Sequence, residues 1–167
     1  FLALMRMVGV ALKIFIVTQW YDPEPTFKGL LFAKTLVDNG HQVEVITGFP
    51  NYPGGKVYDG YKINAYQKEL IDGVVVHRVP LYPSHDGSAF KRIFNYISFA
   101  ASSLLCGLFK VSKPDVIYSY HPPLTTSLAA LFIGMFRRVP FITDIQDLWP
   151  DTLAATGMLT NSKALAI

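Results

Sequence analysis

Two short apolar runs in the C-terminal third of the chain constrain the fold more than any other feature. Residues 116–118 and 141–143 are rich in β-branched and aromatic side chains, and residues 124–138 between them have helical character. This order predicts a strand, a helix and a parallel strand. The polar and aromatic residues at the ends of these runs are Tyr120, His121, Asp144, Gln146 and Asp147. Because open α/β sheets bind ligands outside the carboxyl ends of their strands, these residues are candidates for a functional site.

The N-terminal part of the chain repeats this order. Residues 14–18 and 43–47 are continuous apolar runs, which are typical of strands buried on both faces. A helix is predicted to begin near Gly29 and to end at Asn39 and Gly40. We therefore predict a right-handed βαβ unit within an α/β fold whose sheet is Rossmann-like, doubly wound and mostly parallel.

Asp72 and Gly73 divide residues 65–80 into two β-prone halves. An Asp-Gly pair between such runs is a strong signal for a β-hairpin. We predict that this insertion forms an antiparallel pair or two edge strands. Its predicted core positions are Val74, Val76 and Val79.

Two loops contain further candidate residues. Residues 48–60 are rich in Gly, Pro, Asn and Tyr, and they form either a functional loop with Asn51 and Tyr52 as ligand contacts or a tight connection of several turns. The loop after the first strand lacks the G-x-G-x-x-G pattern of a dinucleotide site. In that loop, Gly29 either lets a ligand approach the helix N-terminus or simply begins the helix.

Composition indicates one folded domain. Of the 167 residues, 51% are hydrophobic and 16% charged, which excludes disorder, and the net charge of +3 does not indicate a nucleic-acid partner. The one cysteine, Cys106, permits no internal disulfide and is predicted to be a buried packing residue. We predict a leader or extension at residues 1–10, a domain at 11–160 and the start of a further helix at 161–167.

A long helix is predicted at residues 90–109, and residues 93–108 within it carry no charge. Its apolar face either covers the sheet or lies in a membrane interface, and both are possible if opposite faces are used. The apolar positions are 90, 94, 97, 101, 104, 105 and 108. The predicted membrane contacts are Phe90, Lys91, Arg92 and Phe94, since basic groups beside apolar ones suit anionic lipids.

The residues at the strand ends leave the chemistry open. His121, Asp144, Asp147 and Asp151 are possible metal ligands or an acid–base set, but their spacing does not match a structural zinc site. His121 precedes two prolines and is predicted to be exposed, which favours a role in a site. Asp144 is either a ligand-binding group or a strand-end carboxylate that accepts backbone N–H bonds.

Several motifs, in this order, closely resemble those of bacterial family 4 glycosyltransferases. They are GHQVEVIT (40–47), FPNYPGGK (49–56), IDGVVV (71–76), RVPLYPSH (78–85), PDVIY (114–118), PPLT (122–125) and DIQDLWPD (144–151). The likeness extends from about residue 12 to residue 159. Within the family, the chain resembles the WbuB-like L-fucosamine transferase subgroup.

The resemblance implies the N-terminal half of a GT-B fold, in which two Rossmann-like domains face each other across a cleft. It implies that this half binds the acceptor, that a C-terminal domain binds a nucleotide sugar, here expected to be UDP-linked, and that the reaction is retaining and needs no metal or cofactor. His121 and Asp144 are then the catalytic candidates. The candidate acceptor- or donor-binding residues are Gly29, Asn51, Tyr52, Tyr120, Gln146 and Asp147. Many family members have His at the positions of Tyr120 and Gln146, so this chain departs from the pattern there.

Acceptors in this family are usually saccharides on polyprenyl diphosphate, which stay in the bilayer. The resemblance therefore implies a peripheral protein at the cytoplasmic face of the plasma membrane, active in lipopolysaccharide O-antigen, capsule or exopolysaccharide synthesis. We expect the 167-residue chain to be inactive without the donor domain. The alternative from another class is a non-catalytic membrane-interface or partner-binding module, and a nicotinamide or flavin enzyme is less favoured because the glycine fingerprint is missing.

Overall fold

The structure is a computed structural model that describes residues 10–84 and 88–146. Within these residues, one sheet of six strands carries helices on both faces, which confirms the predicted α/β, doubly wound class. The strands are β1 (Lys13–Val17), β2 (Gln42–Gly48), β3 (Gln67–Ile71), β4 (Val74–Val79), β5 (Val116–Tyr120) and β6 (Phe141–Asp144). The helices are α1 (Leu30–Asp38), α2 (Ala89–Phe109) and α3 (Leu124–Arg137).

The order of the strands across the sheet is β3-β4-β2-β1-β5-β6. All neighbouring strands are parallel except β3 and β4, which are antiparallel. The chain moves outward from β1 to β2 and β4 on one side, and then returns to β5 and β6 on the other. The direction of winding thus reverses between β1 and β5, and the carboxyl ends of these two strands flank the crevice where open sheets bind ligands.

The central strand β1 packs against helices on both of its faces. Ile14 and Ile16 belong to the core beneath α1, whereas Phe15 and Val17 belong to the core beneath α2 and α3, and all four are fully buried. Alternate side chains of a strand point to opposite faces, so a strand covered on both sides must be apolar at every position. This explains the continuous apolar run in the sequence.

The predicted hairpin is confirmed. Asp72 and Gly73 connect β3 to β4 with φ angles of +48° and +82°, the left-handed pair that a two-residue type I′ turn requires. The second strand, β4, also pairs in parallel with β2, so it lies inside the sheet and its valines at 74, 76 and 79 are buried. In the described part of the sheet, β3 forms the outer strand on this side.

The packing of α2 corrects one interpretation of its sequence. Part of the predicted apolar stripe does not cover the sheet: Phe90, Phe94 and Ile97 are 86%, 59% and 54% exposed, whereas Leu104 of the same stripe packs against the core. The buried side of the helix consists of Asn95, Phe99, Ser103, Cys106 and Gly107. By length and composition α2 is apolar enough to cross a bilayer, but its inner side is part of the domain core. Cys106 is a buried packing residue, as predicted, and burial raises the pKa of its thiol to about 12.

The shorter helix α1 follows its prediction with one exception. It begins after Gly29 and ends before Asn39 and Gly40, and Gly40 has the positive φ of +88° typical of a helix end. The exception is Leu31: the apolar repeat of Leu30, Leu31, Ala33, Leu36 and Val37 predicts a buried stripe that includes it, but Leu31 is 81% exposed. The extension at residues 1–10 falls outside the described residues except for its last position, and the predictions for Asp147 and for residues 161–167 fall outside them entirely.

Candidate active site

Asp144 is the centre of a cluster of polar side chains at the carboxyl edge of the sheet. It ends β6 and lies beside Tyr120 of β5 in the parallel register. Its carboxylate accepts a hydrogen bond from the Tyr118 hydroxyl at 2.5 Å and another from the side-chain amide of Gln146. The Lys28 ammonium lies 3.7 Å from the same carboxylate. The described partners of this carboxylate are therefore side chains, unlike those of a strand-end carboxylate that only caps backbone N–H groups.

Sequence reasoning did not single out Lys28, which comes from the loop before α1. Its ammonium lies 4.9 Å from the centre of the Phe32 ring, and that ring lies 5.3 Å from the ring of Tyr118. The aromatic rings therefore hold the lysine beside Asp144 through a cation–π contact. The lysine side chain is 32% exposed, so it can still reach a ligand from this position.

His121 is next to this cluster. Its backbone N–H donates to the Asp144 carbonyl oxygen at 3.1 Å, which joins the ends of β5 and β6. Its Nδ1 atom is buried and has no hydrogen-bond partner in the described part of the chain, and the same is true of Thr125 Oγ1 in the first turn of α3. Buried polar atoms are rarely left unpaired, so these two mark a place where a bound group can contribute the missing partner.

Two tyrosines of β5, Tyr118 and Tyr120, lie next to Asp144. Burial and the Asp144 carboxylate raise the pKa of both Tyr118 and Tyr120, so both phenols stay protonated at neutral pH. Tyr118 therefore acts as a hydrogen-bond donor to the carboxylate. Tyr120, a sequence candidate, is only 5% exposed and belongs to the core beneath α1, where its ring packs rather than facing the crevice.

Gly29 lies at the N-terminus of α1, where the Asp22 carboxylate accepts the Leu30 backbone N–H at 2.5 Å. A Cβ atom at Gly29 would collide with this carboxylate. The glycine is therefore required for close packing inside the chain. Asp22 already occupies the position in which the helix N-terminus would otherwise favour an external anion.

Asn51 and Tyr52 are held by a buried glutamate. Glu24 accepts hydrogen bonds from the backbone N–H groups of Asn51 (2.7 Å), Tyr52 (2.8 Å) and Tyr21 (3.2 Å). Burial raises the pKa of Glu24 even though these bonds oppose the shift. The Asn51 side chain is itself buried, whereas the Tyr52 ring lies 4.6 Å from that of Trp20 and remains partly exposed.

Arg78 of β4 is fully buried, and its side chain connects the loop after β1 to the end of β2. Its guanidinium donates to the Asp22 carbonyl at 2.7 Å, to the Gly48 carbonyl at 3.3 Å and to Glu69 at 3.1 Å. The sequence signal that could have indicated this role is a charged residue within a strand that is mostly valine. Nothing in the local pattern around Glu24 indicated its burial.

The four predicted membrane contacts lie together in the first turns of α2. Phe90, Lys91, Arg92 and Phe94 are all exposed, and Phe94 packs edge-on against Tyr82 with ring centres 5.3 Å apart. Asn95 connects this end of α2 to the carboxyl end of β1 by a 2.5 Å hydrogen bond from Gln19. Among residues 10–84 and 88–146, no three His, Cys, Asp or Glu side chains are grouped as a metal site would require.

A doubly wound sheet with polar side chains at its switch point defines a Rossmann-like ligand-binding domain. The sequence matches the family described as glycosyl transferase 4-like domain over residues 30–165. The chain therefore belongs to this family, and its fold is consistent with one Rossmann-like half of a GT-B enzyme.

The chain is similar to a curated protein named putative colanic acid biosynthesis glycosyl transferase WcaI, from Escherichia coli strain K12. The two are 30% identical over 156 residues, which cover 91% of this chain but 38% of that protein. A solved structure, the C-terminal domain of a hydrogenase from Pyrococcus furiosus, covers 80% of this chain and 90% of its own at 15% identity with a TM-score of 0.46. That likeness is too low to bear on function.

Proposed function

We propose that this chain is the acceptor-binding part of a retaining, metal-independent glycosyltransferase. In this proposal the donor is a nucleotide sugar, preferably UDP-linked, and the acceptor is a saccharide on polyprenyl diphosphate in O-antigen, capsule or exopolysaccharide synthesis. Family membership and the name of the WcaI relative support it. The observation that carries it is the group of Lys28, His121, Asp144 and Gln146 at the switch point of the sheet.

In this proposal the group at the switch point binds and orients the acceptor hydroxyl. The Asp144 carboxylate and the unpaired Nδ1 of His121 supply hydrogen-bond acceptors, while Lys28 and Gln146 supply donors. Precise orientation of a nucleophile accelerates transfer because the entropy of positioning is lost on binding rather than in the transition state. In this proposal a second domain binds the donor diphosphate. The position of Asp22 supports this, because its carboxylate already occupies the N-terminus of α1, where a phosphate would otherwise bind.

Substitution of His121 by Ala and of Asp144 by Asn tests this function in a protein that includes the donor domain. We expect each change to lower the rate of sugar transfer by roughly 100-fold or more, the lower range for loss of a positioned acid–base group. Thermal melting should change little. The matched control is Asp38→Asn, since Asp38 is an exposed carboxylate in an ion pair on α1. Transfer within about twofold of wild type in both site variants would contradict the proposal.

Two further measurements test whether the reaction needs a metal and whether donor binding requires a second domain. Transfer should be unchanged by EDTA, because the proposed chemistry uses no metal. The 167-residue chain alone should show no steady transfer from any nucleotide sugar, and steady turnover by it would contradict the acceptor-side assignment. A panel of UDP-sugars tests the finer hypothesis of an L-fucosamine transferase, which requires preference for that donor.

Docking at the cytoplasmic face of the plasma membrane is the part of the proposal that rests on α2. The exposed Phe90 and Phe94 beside Lys91 and Arg92 suit an interface that contains anionic lipids. Lys91→Glu with Arg92→Glu should reduce flotation with anionic vesicles, while Lys56→Glu with Lys62→Glu, at exposed lysines elsewhere, should not. Equal flotation of the two double variants would contradict docking through α2.

The same exposed helix face favours a second candidate function, a non-catalytic module that binds a membrane or a partner. The site variants distinguish the two. Lost transfer with retained folding in the His121 and Asp144 variants supports the enzyme. A full-length protein that floats with vesicles but transfers no sugar from a wide donor panel supports the module.

A further inference from the structure

Helix α3 carries an exposed apolar ridge of its own. The sequence pattern predicted such a ridge only on α2. Its inner side, which includes Ala129, Ala130 and Ile133, packs on the sheet. Its outer side is apolar at every turn. The exposed apolar residues of the helix and their exposed fractions are Leu124 (59%), Leu128 (46%), Leu131 (38%), Phe132 (42%), Met135 (57%) and Phe136 (65%). An ordinary surface helix carries polar or charged residues on the face opposite the core.

This ridge lies beside the one on α2. Both helices cover the same face of the sheet and both run antiparallel to its strands, so they are parallel neighbours. Gly107 of α2 allows a close approach to Ile133 of α3, because a Cβ at the glycine would collide with the isoleucine side chain. The two ridges therefore form one outer layer, which we call the two-helix face. The outward residues of α2 in it are Phe90, Phe94, Ile97 and Leu105.

The opposite face of the sheet shows what an ordinary outer surface of this protein looks like. Helix α1 carries an ion pair between Lys34 and Asp38 at 3.0 Å, together with the polar Thr35. Its exposed Leu31 is an isolated apolar residue, which is normal on a protein surface. A contiguous apolar layer such as the two-helix face marks a surface that binds another apolar phase.

The charges around the two-helix face point to lipid as that phase. Neither α2 nor α3 contains an Asp or Glu residue. Lys91 and Arg92 lie at one end of the face, and Lys110, Lys113 and Arg138 lie at the other, all exposed. Asp86 precedes α2 in the sequence but lies outside the described residues. On the other side of α2, Asp115 accepts the Lys13 backbone N–H at 2.7 Å. Basic groups at both ends with apolar residues between them complement an anionic bilayer on which both helices lie flat.

We propose that α2 and α3 together form the membrane-contact face, with Leu128 and Met135 inserted beside Phe90, Phe94 and Ile97. This rests on the proposed membrane docking and deepens it, because it fixes the orientation of the domain. The sheet then lies parallel to the bilayer, one helix layer away. Its carboxyl edge, with Asp144, is then about 10 Å from the inserted side chains, since a helix with its side chains is about that wide. A saccharide on a membrane-bound diphosphate can span that distance.

The test compares three variants of the full chain with wild type: Leu128→Asp with Met135→Asp on α3, Ile97→Asp on α2, and Leu31→Asp on α1 as the matched control. Binding is measured by sedimentation with vesicles of phosphatidylcholine that contain about one-third phosphatidylglycerol. We expect the α3 double variant and Ile97→Asp each to weaken binding about tenfold or more, because a charge replaces inserted apolar area. Leu31→Asp should bind like wild type.

The outcomes separate this inference from membrane docking itself. Weak binding by Ile97→Asp with normal binding by the α3 variant would overturn the two-helix face and leave docking through α2. Absence of binding by wild type would overturn both. A wild-type dimer that the α3 variant breaks, without wild-type vesicle binding, would assign the face to a second copy and also overturn the inference. If aspartate impairs folding, as judged by circular dichroism, Leu128→Gln with Met135→Gln gives the same comparison.

Discussion

Two regions of the sheet treat buried polar groups in different ways. One is the Glu44 network, which extends from Lys13 at the amino end of β1 to Tyr66 beside the carboxyl end of β4. In it Glu44 pairs with Lys13 at 2.5 Å and with His77 at 3.0 Å, and the second His77 nitrogen pairs with the Tyr66 hydroxyl at 2.8 Å. At the carboxyl edge, five buried side-chain atoms have no partner in the described part of the chain. They are Gln19 Oε1, Tyr21 Oη, Ser84 Oγ, His121 Nδ1 and Thr125 Oγ1.

This difference indicates which buried polar groups stabilise the fold and which can bind a ligand. A satisfied buried network stabilises the fold, whereas each unpaired buried group costs about 1–3 kcal/mol. All five unpaired atoms follow β1, follow β4, or lie between the end of β5 and the first turn of α3, which is the edge where a doubly wound sheet binds its ligand. Sites that bind or react commonly break packing rules that the rest of the fold obeys. The Glu44 network therefore contributes to stability, whereas the carboxyl edge, next to the paired groups of Glu24 and Arg78, keeps hydrogen-bonding capacity for a ligand.

The largest expected effect is at Arg78, which holds the loops of the carboxyl edge in place. Replacement by Met should lower the free energy of unfolding by about 3–5 kcal/mol, because it leaves Glu69 and two carbonyl groups without their partner. Guanidinium denaturation measures this loss. The control at the amino edge is Lys13→Met: the Lys13 side chain is 22% exposed, and we expect a loss of about 1 kcal/mol or less.

A result in which Arg78→Met costs no more than Lys13→Met would contradict the role given to Arg78 in holding these loops. It would mean that the loops after β1 and β2 are held mainly by other contacts. Loss of vesicle binding in Arg78→Met without loss of stability would also be unexpected, because the two-helix face lies on the other side of the sheet from α1 and does not contain this residue.

The sequence predicted the strands and the helices, because these follow from patterns that are local. The site at the strand ends stays a prediction. The apolar run at residues 14–18 and the Asp72-Gly73 turn each depend on a few neighbouring residues. Which side of α2 is buried, and which groups bind Glu24, depend on residues that are far apart in the chain. Asn95 faces inward because Gln19 and the Tyr82 carbonyl bind its side chain, and no periodicity in α2 contains that information.

The next effect is the pH dependence of stability that comes from Glu44. Burial raises the pKa of Glu44, but hydrogen bonds from His77 and Lys13 and the lysine charge outweigh it and lower that pKa to about 2. A depressed carboxyl pKa stabilises the fold above the unfolded value near 4.5 and loses this contribution as pH falls towards 2. The change amounts to about 3 kcal/mol. Urea denaturation between these pH values should show it, and Glu44→Gln should remove this component of the pH dependence.

The smallest effect is at Glu24 and has the opposite sign with pH. Burial raises its pKa above 4.5, so its contribution is complete below that value and is lost as pH rises through the folded pKa. Glu24→Gln keeps an oxygen for the Asn51 and Tyr52 N–H groups but turns an amide towards the Tyr21 N–H, so near pH 4.5 we expect it to cost about 1 kcal/mol. This deficit should shrink as pH rises, whereas that of Glu44→Gln should grow between pH 2 and 4.5. If both deficits change in the same direction with pH, burial and hydrogen bonding do not shift the pKa values of Glu24 and Glu44 in opposite directions, which would contradict this account of the two carboxylates.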